Sequence, residues 1–122
     1  MAVPRITKDD LKAKLDSGSP PVVLDVRLKY PYEHSTVRLP NAIRVDPKDP
    51  QLPALPRDRE IVAYDSDPDE LVSARIAAQL IRQGHRASAL KGGIVEWLAA
   101  NLPTETKDAP KQKPPAAGAL KG

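Results

Sequence analysis

At 122 residues and a formal charge of +3, the chain has room for one domain and one core. One Trp, three Tyr and no Phe leave that core to Val, Ile, Leu and Ala. The absence of Cys excludes a disulfide, a thiolate metal site and a cysteine nucleophile.

The charge is partly a tail effect. From Pro103 onward Lys107, Lys111, Lys113 and Lys121 face only Glu105 and Asp108, so the rest of the chain is nearly neutral. No helix carries a basic stripe and no aromatic residues alternate with basic ones, so nucleic acid is not an expected partner. No apolar run approaches a membrane span, and the N-terminus lacks the apolar stretch of a signal peptide. No membrane partner and a cytoplasmic location are the expectation.

In chain order, Ile6 to Gly18 reads as a first helix. Thr7 is its N-cap, Asp10 stands at N3, and Ile6 and Leu11 are placed for a hydrophobic staple. Leu11 and Leu15 face inward, Gly18 supplies a left-handed stop, and Pro20 and Pro21 prevent a restart. Val22 to Val26 is an apolar run broken only by Asp25, as suits a parallel strand buried on both faces. Asp25 and Arg27, two apart, would point to one side and form a structural ion pair, since an unpaired buried carboxylate is very costly. Tyr30, Pro31, Tyr32 and Glu33 suggest a helical turn, with His34 solvated beside it. Pro40-Asn41 is a turn and Ala42 to Val45 a short strand. Asp46 to Arg59, with four prolines, reads as a surface connection pinned by Leu52 and Leu55.

Ile61 to Leu80 organises the rest. Ile61, Val62, Ala63 and Tyr64 have strand length. Asp65 and Ser66 leave the strand. Asp67 at N-cap, Pro68 at N1 and Glu70 at N3 make a capping box. Val72, Ile76 and Leu80 then recur at four-residue spacing, widened by Ala74, Ala77, Ala78 and Ile81, and Gly84 closes the helix. A loop at the carboxyl end of a parallel strand, closed by a helix N-terminus, is where open α/β domains keep their sites. Arg86 to Leu90 reads as a weak strand, Lys91-Gly92-Gly93 as a turn needing unusual dihedrals, and Ile94 to Ala100 as a helix with Ile94, Trp97 and Leu98 on one face. Residues 1–103 make the domain. Residues 104–122, rich in Pro, Lys, Ala and Gly, read as a disordered tail or linker. The alternation of strands and helices implies a parallel sheet with helices on both faces.

The chain resembles a single rhodanese-like (sulfurtransferase) domain. The resemblance is carried by VLDVR at 23–27, Tyr32-Glu33, RLPNAIRV at 38–45, IVAYD at 61–65, SARIAAQLIRQGH at 73–85 and LKGGIVEWLAANLP at 90–103. It implies a three-layer α/β fold and a site in the loop Asp65, Ser66, Asp67, Pro68, Asp69, Glu70, supported by Asp25 and Arg27. In the family the position of Asp65 holds the catalytic Cys that carries sulfur as a persulfide. The loop is similar to a subgroup reading Cys-x-Cys-Pro-Asn-Glu, with Asp65 and Asp67 standing where its cysteines would be. A carboxylate cannot hold sulfane sulfur. Four acids within six residues, Asp65, Asp67, Asp69 and Glu70, would also repel thiosulfate or phosphate.

Asp65, Asp67 and Asp69 begin like a calcium loop, but Glu70 stands at the Gly position and Ile76 at the bidentate Glu position. Capping accounts for Asp67, Asp69 and Glu70, and a weak, open Mg²⁺ or Ca²⁺ site on Asp65, Asp67 and Asp69 is the alternative. Ser66 and Ser73 lack a base, and His85 after the Gly stop suits the helix dipole. No cofactor is expected. The favoured reading is a non-catalytic module that binds a protein or small-molecule ligand at Asp65–Glu70, and it leans away from an enzyme. The alternatives are a sulfurtransferase whose cysteines were replaced or lost, and weak metal-dependent activity at the acidic loop.

Overall fold

The structure is a computed structural model, and it describes residues 3–48, 54–66 and 71–107. Five strands form one parallel sheet: β1 (Arg5–Ile6), β2 (Val22–Asp25), β4 (Ile43–Arg44), β5 (Glu60–Tyr64) and β6 (Arg86–Leu90), in the order β1-β6-β5-β2-β4. Val22 to Asp25 pairs with Ile61 to Tyr64, and Leu24 and Asp25 pair with Ile43 and Arg44. From β2 the chain goes first to β4 on one flank, then to β5 on the other. The crevice at the carboxyl ends of β2 and β5 is therefore the topological switch point.

Side chains alternate across this sheet, as the two-residue period requires. Val23, Val62 and Tyr64 pack on one face with Leu11 of α1 (Lys8–Leu15) and with Ile94 and Trp97 of α4 (Gly93–Ala99). Val22, Leu24, Ile61 and Ala63 pack on the other with Ile76, Ala77 and Leu80 of α3 (Leu71–Arg82). The expected sheet between two helical layers is present, with an aliphatic core and one buried Trp.

Local signals explain most boundaries. The Thr7 side chain accepts the Asp10 N–H at 3.1 Å, the expected N-cap. Gly84, at φ +95°, ends α3: its N–H reaches the Ile81 carbonyl and the His85 N–H reaches that of Leu80, both at 3.0 Å. That is a Schellman closure. Asn101, at φ +57°, closes α4 the same way, with Leu102 donating to Trp97.

Four expectations need correction. The first helix begins at Lys8, because Ile6 instead pairs with Leu90 in the sheet. It ends at a right-handed Asp16 cap, and the Ser17 hydroxyl donates to the Lys14 carbonyl, so Gly18 is not a left-handed stop. Leu98 is 44% exposed, so only Ile94 and Trp97 of the expected trio face the core. Thr104 to Lys107, placed with the tail by composition, instead contains β7 (Glu105–Thr106), antiparallel to β3 (Val37–Arg38). Residues 108–122 and Leu52 lie outside the described residues. The helical turn at Tyr30–Glu33 is present as α2 (Lys29–His34), where His34 stacks on Tyr30 with centroids 4.1 Å apart.

Candidate functional site

Parallel pairing brings the carboxyl ends of the strands to one edge of the sheet. Asp25 ends β2 in register with Tyr64, and Asp65 follows directly on β5. At the end of β6 the chain turns through Gly92 (φ +78°) and Gly93 (φ +61°) into α4. A Cβ on Gly93 would collide with the Asp65 carbonyl oxygen. That carbonyl accepts the Ile94 N–H at 2.9 Å. The paired glycines thus let α4 close over the backbone of the site, the close approach their sequence signalled.

Asp65 is 1% exposed, and its Oδ2 accepts the backbone N–H of Ser73 at 2.7 Å. A carboxylate here meets an amide near the amino end of α3, where negative charge is favourable. The acceptor for this amide is the protein's own side chain. The Ser73 residue is itself fully buried, on the same face as Ile76, Ala77 and Leu80. The sequence reading took Ser73 only as a weak nucleophile candidate. The expected stripe of Val72, Ile76 and Leu80 left Ser73 out; the spacing 73, 76, 77, 80 is the signal that would have included it, while the role of its amide carries no side-chain signal.

Neither histidine serves Asp65 as a proton partner. His85 follows the far end of α3, a helix about 18 Å long at 1.5 Å per residue. His34 is engaged with Tyr30. Ser66 is half-buried beside Asp65. Among the described residues no three His, Cys, Asp or Glu side chains converge as a metal site. Asp67, Pro68, Asp69 and Glu70, and with them the capping box and most of the acidic loop, lie outside the described residues.

The Asp25–Arg27 pair forms as expected and is almost fully buried. The Arg27 Nε and Nη2 donate to the Asp25 carboxylate at 3.0 and 2.7 Å, and the Arg27 backbone N–H adds a third bond at 3.1 Å. Nη2 also donates to the Val37 carbonyl at 3.0 Å. Burial alone would lower the pKa of the guanidinium, but the hydrogen bond and charge of Asp25 outweigh it and hold the group above its ordinary value. The Asp25 carboxylate and the Arg27 Nε and Nη2 are all engaged within the protein, so the pair ties the end of β2 to the segment at Val37. Burial pushes the Tyr64 hydroxyl well above the usual tyrosine range, and the Asp25 charge adds to the push. That hydroxyl accepts the Leu39 N–H at 3.3 Å.

Comparisons with known proteins agree with this geometry. A full-length protein from Lactobacillus plantarum superposes with a TM-score of 0.74 at 26% identity, over 84% of this chain and 87% of that one. A rhodanese-like domain protein from Staphylococcus aureus gives 0.62 at 22% identity, over 90% and 99%. A thiosulfate sulfurtransferase from Pseudomonas aeruginosa gives 0.71 at 24% identity, over 88% of this chain but 20% of that larger one. No curated protein matches the chain. The family model for the rhodanese-like domain matches residues 7–100, and the chain belongs to that family.

Proposed function

We propose that this rhodanese-like domain does not transfer sulfur and acts as a binding or regulatory module, with a protein or small-molecule ligand at the face that carries Asp65. The observation that carries the reading is the Asp65 carboxylate, buried at the end of β5 and bonded to the Ser73 N–H. That carboxylate already takes the Ser73 N–H, a donor an anion at this position would use. The chain has no Cys elsewhere to replace it.

The test is sulfur transfer from thiosulfate to cyanide by the unmodified protein, followed by Asp65→Cys. The unmodified protein should show no transfer above the buffer blank. The Asp65→Cys thiol should alkylate readily, because it would sit against the amide end of α3. Its turnover should stay low and rise with added salt, since Asp67, Asp69 and Glu70 oppose both thiolate and anionic donor. Sulfur transfer by the unmodified protein would overturn the proposal. An unreactive thiol in a folded Asp65→Cys variant would show that this end of α3 does not stabilise an anion.

A further inference from the structure

Tyr32, half-buried on α2, is surrounded by cations. The Arg44 guanidinium carbon lies 4.0 Å from its ring centroid, the Lys107 Nζ 4.1 Å and the Arg27 guanidinium carbon 5.4 Å. One carboxylate answers them among the described residues. Asp25 pairs with Arg27 at 2.7 Å and stands 3.8 Å from Arg44 Nη1. Among the described residues, three positive charges against one negative leave two uncompensated.

The donors of this cluster outnumber its acceptors. Arg44 spends Nη1 on the carbonyls of Arg27, at 2.6 Å, and Asp25, at 3.4 Å. Its Nε and Nη2 have no acceptor among the described residues, and its side chain is 25% exposed. Lys107 gives one N–H to the Tyr32 carbonyl, leaving two of its three. Both cations are held in place. The Lys107 backbone N–H donates to Thr36 at 2.8 Å and its carbonyl accepts from Arg38 at 3.0 Å. Arg44 is anchored on the edge strand β4.

We propose that Arg44 and Lys107, flanking Tyr32, form a binding site for a doubly charged phosphate-type oxyanion, free or carried as a monoester. Two uncompensated cations match a dianion in charge. The open Nε–Nη2 edge of Arg44 is a planar fork suited to two oxygens, and Lys107 supplies a point charge beside it. With both cations about 4 Å from one ring centroid, they are at most about 8 Å apart, close enough for their fields to add at one anion. A single carboxylate would leave one charge unanswered. The proposal does not rest on the reading of Asp65.

The test is a titration of the full chain with inorganic phosphate at constant ionic strength, read by backbone amide shifts in two-dimensional NMR. Saturable shifts should centre on Thr36, Arg44 and Lys107, and Arg44→Gln and Lys107→Gln should each weaken binding about tenfold, the loss of one charge-assisted contact. Glycerol phosphate is titrated in parallel. Binding as tight as that of phosphate assigns the site to a monoester, and binding of phosphate alone assigns it to the free ion. Acetate should bind about tenfold more weakly than either. Shifts that never saturate, that acetate reproduces, that centre on Ser73, or that survive both substitutions would overturn the proposal. If Arg44→Gln fails to fold, Lys107→Gln decides alone, because its side chain is not part of the core.

Discussion

The Asp65 Oδ2 accepts the Ser73 N–H at 2.7 Å, so Asp65 is a structural acceptor for α3. Asp65→Ala should leave a buried donor unsatisfied and cost about 1–3 kcal/mol. Asp65→Asn keeps an acceptor oxygen and loses only the charge, so it should cost less. Urea denaturation of the three proteins checks the order. Equal stability of wild type and Asp65→Ala would show that the bond contributes nothing.

Gly93 and Gly84 both lie at positive φ, but for different reasons. A Cβ on Gly93 meets the backbone carbonyl of Asp65, which cannot move without breaking the bond from Ile94. A Cβ on Gly84 meets only the end of the Arg57 side chain, which can swing aside. Gly84→Ala should therefore cost about 1–2 kcal/mol of left-handed strain, and Gly93→Ala clearly more. Similar melting temperatures for the two variants would contradict the close approach at Asp65.

The elements legible in the sequence were those whose signal is local. β2 and β5 show as apolar runs, α3 by its stripe and Gly84, and the Asp25–Arg27 pair by the cost of burying either charge alone. β1 and β7 were not legible. Two residues cannot display a period, and each exists only because a distant strand supplies its partner. Composition hid β7 further, because Glu105 and Lys107 look like tail residues until Arg38 and Tyr32 are placed beside them. Leu98 shows the limit of helical spacing, which puts it beside Trp97 on a stripe but does not say how wide the covered part is. At the site, the sequence located Asp65 and the end of β5. It could not show that Asp65 accepts a backbone amide eight residues on.

The strap at the end of the domain should matter for stability. Glu105 accepts from Arg38 Nε at 2.9 Å, and Lys107 ties Thr36, Arg38 and Tyr32 together. A chain ending at Pro103 should be less stable than one ending at Lys107 by about 1–3 kcal/mol, the scale of a few partly buried hydrogen bonds. Thermal melts of the two truncations decide this, with a difference of about 4 °C or more expected for a domain of this size. Coincident melts would show that β7 adds nothing.

Trp97 is fully buried, and its Nε1 donates to the Pro103 carbonyl at 2.8 Å. Trp97→Ala should cost about 3–5 kcal/mol through the cavity it leaves. Trp97→Phe keeps most of the ring but orphans the Pro103 carbonyl, and should cost less. Native fluorescence should be blue-shifted and move to the red on unfolding. A native spectrum like that of a solvated indole would refute the placement.

Tyr64 gives the fold an alkaline limit. Burial, then the Asp25 charge, hold its hydroxyl protonated well above the ordinary tyrosine pKa of about 10. The unfolded chain loses that proton near pH 10 while the native protein keeps it, so above this pH the unfolded state binds fewer protons. The stabilisation is complete below about pH 10 and is withdrawn as pH rises further, by up to about 1.4 kcal/mol per pH unit for one group. Tyr64→Phe removes the titrating group. It should be less stable at pH 8, because the Leu39 N–H loses its acceptor. Its stability should then fall less steeply than wild type between about pH 10 and 11, the window in which Tyr64 alone separates the two proteins. Denaturant unfolding at pH 8, 9, 10 and 11 measures both slopes, and parallel slopes above pH 10 would mean that Tyr64 ionises as freely in the native state as in the unfolded one.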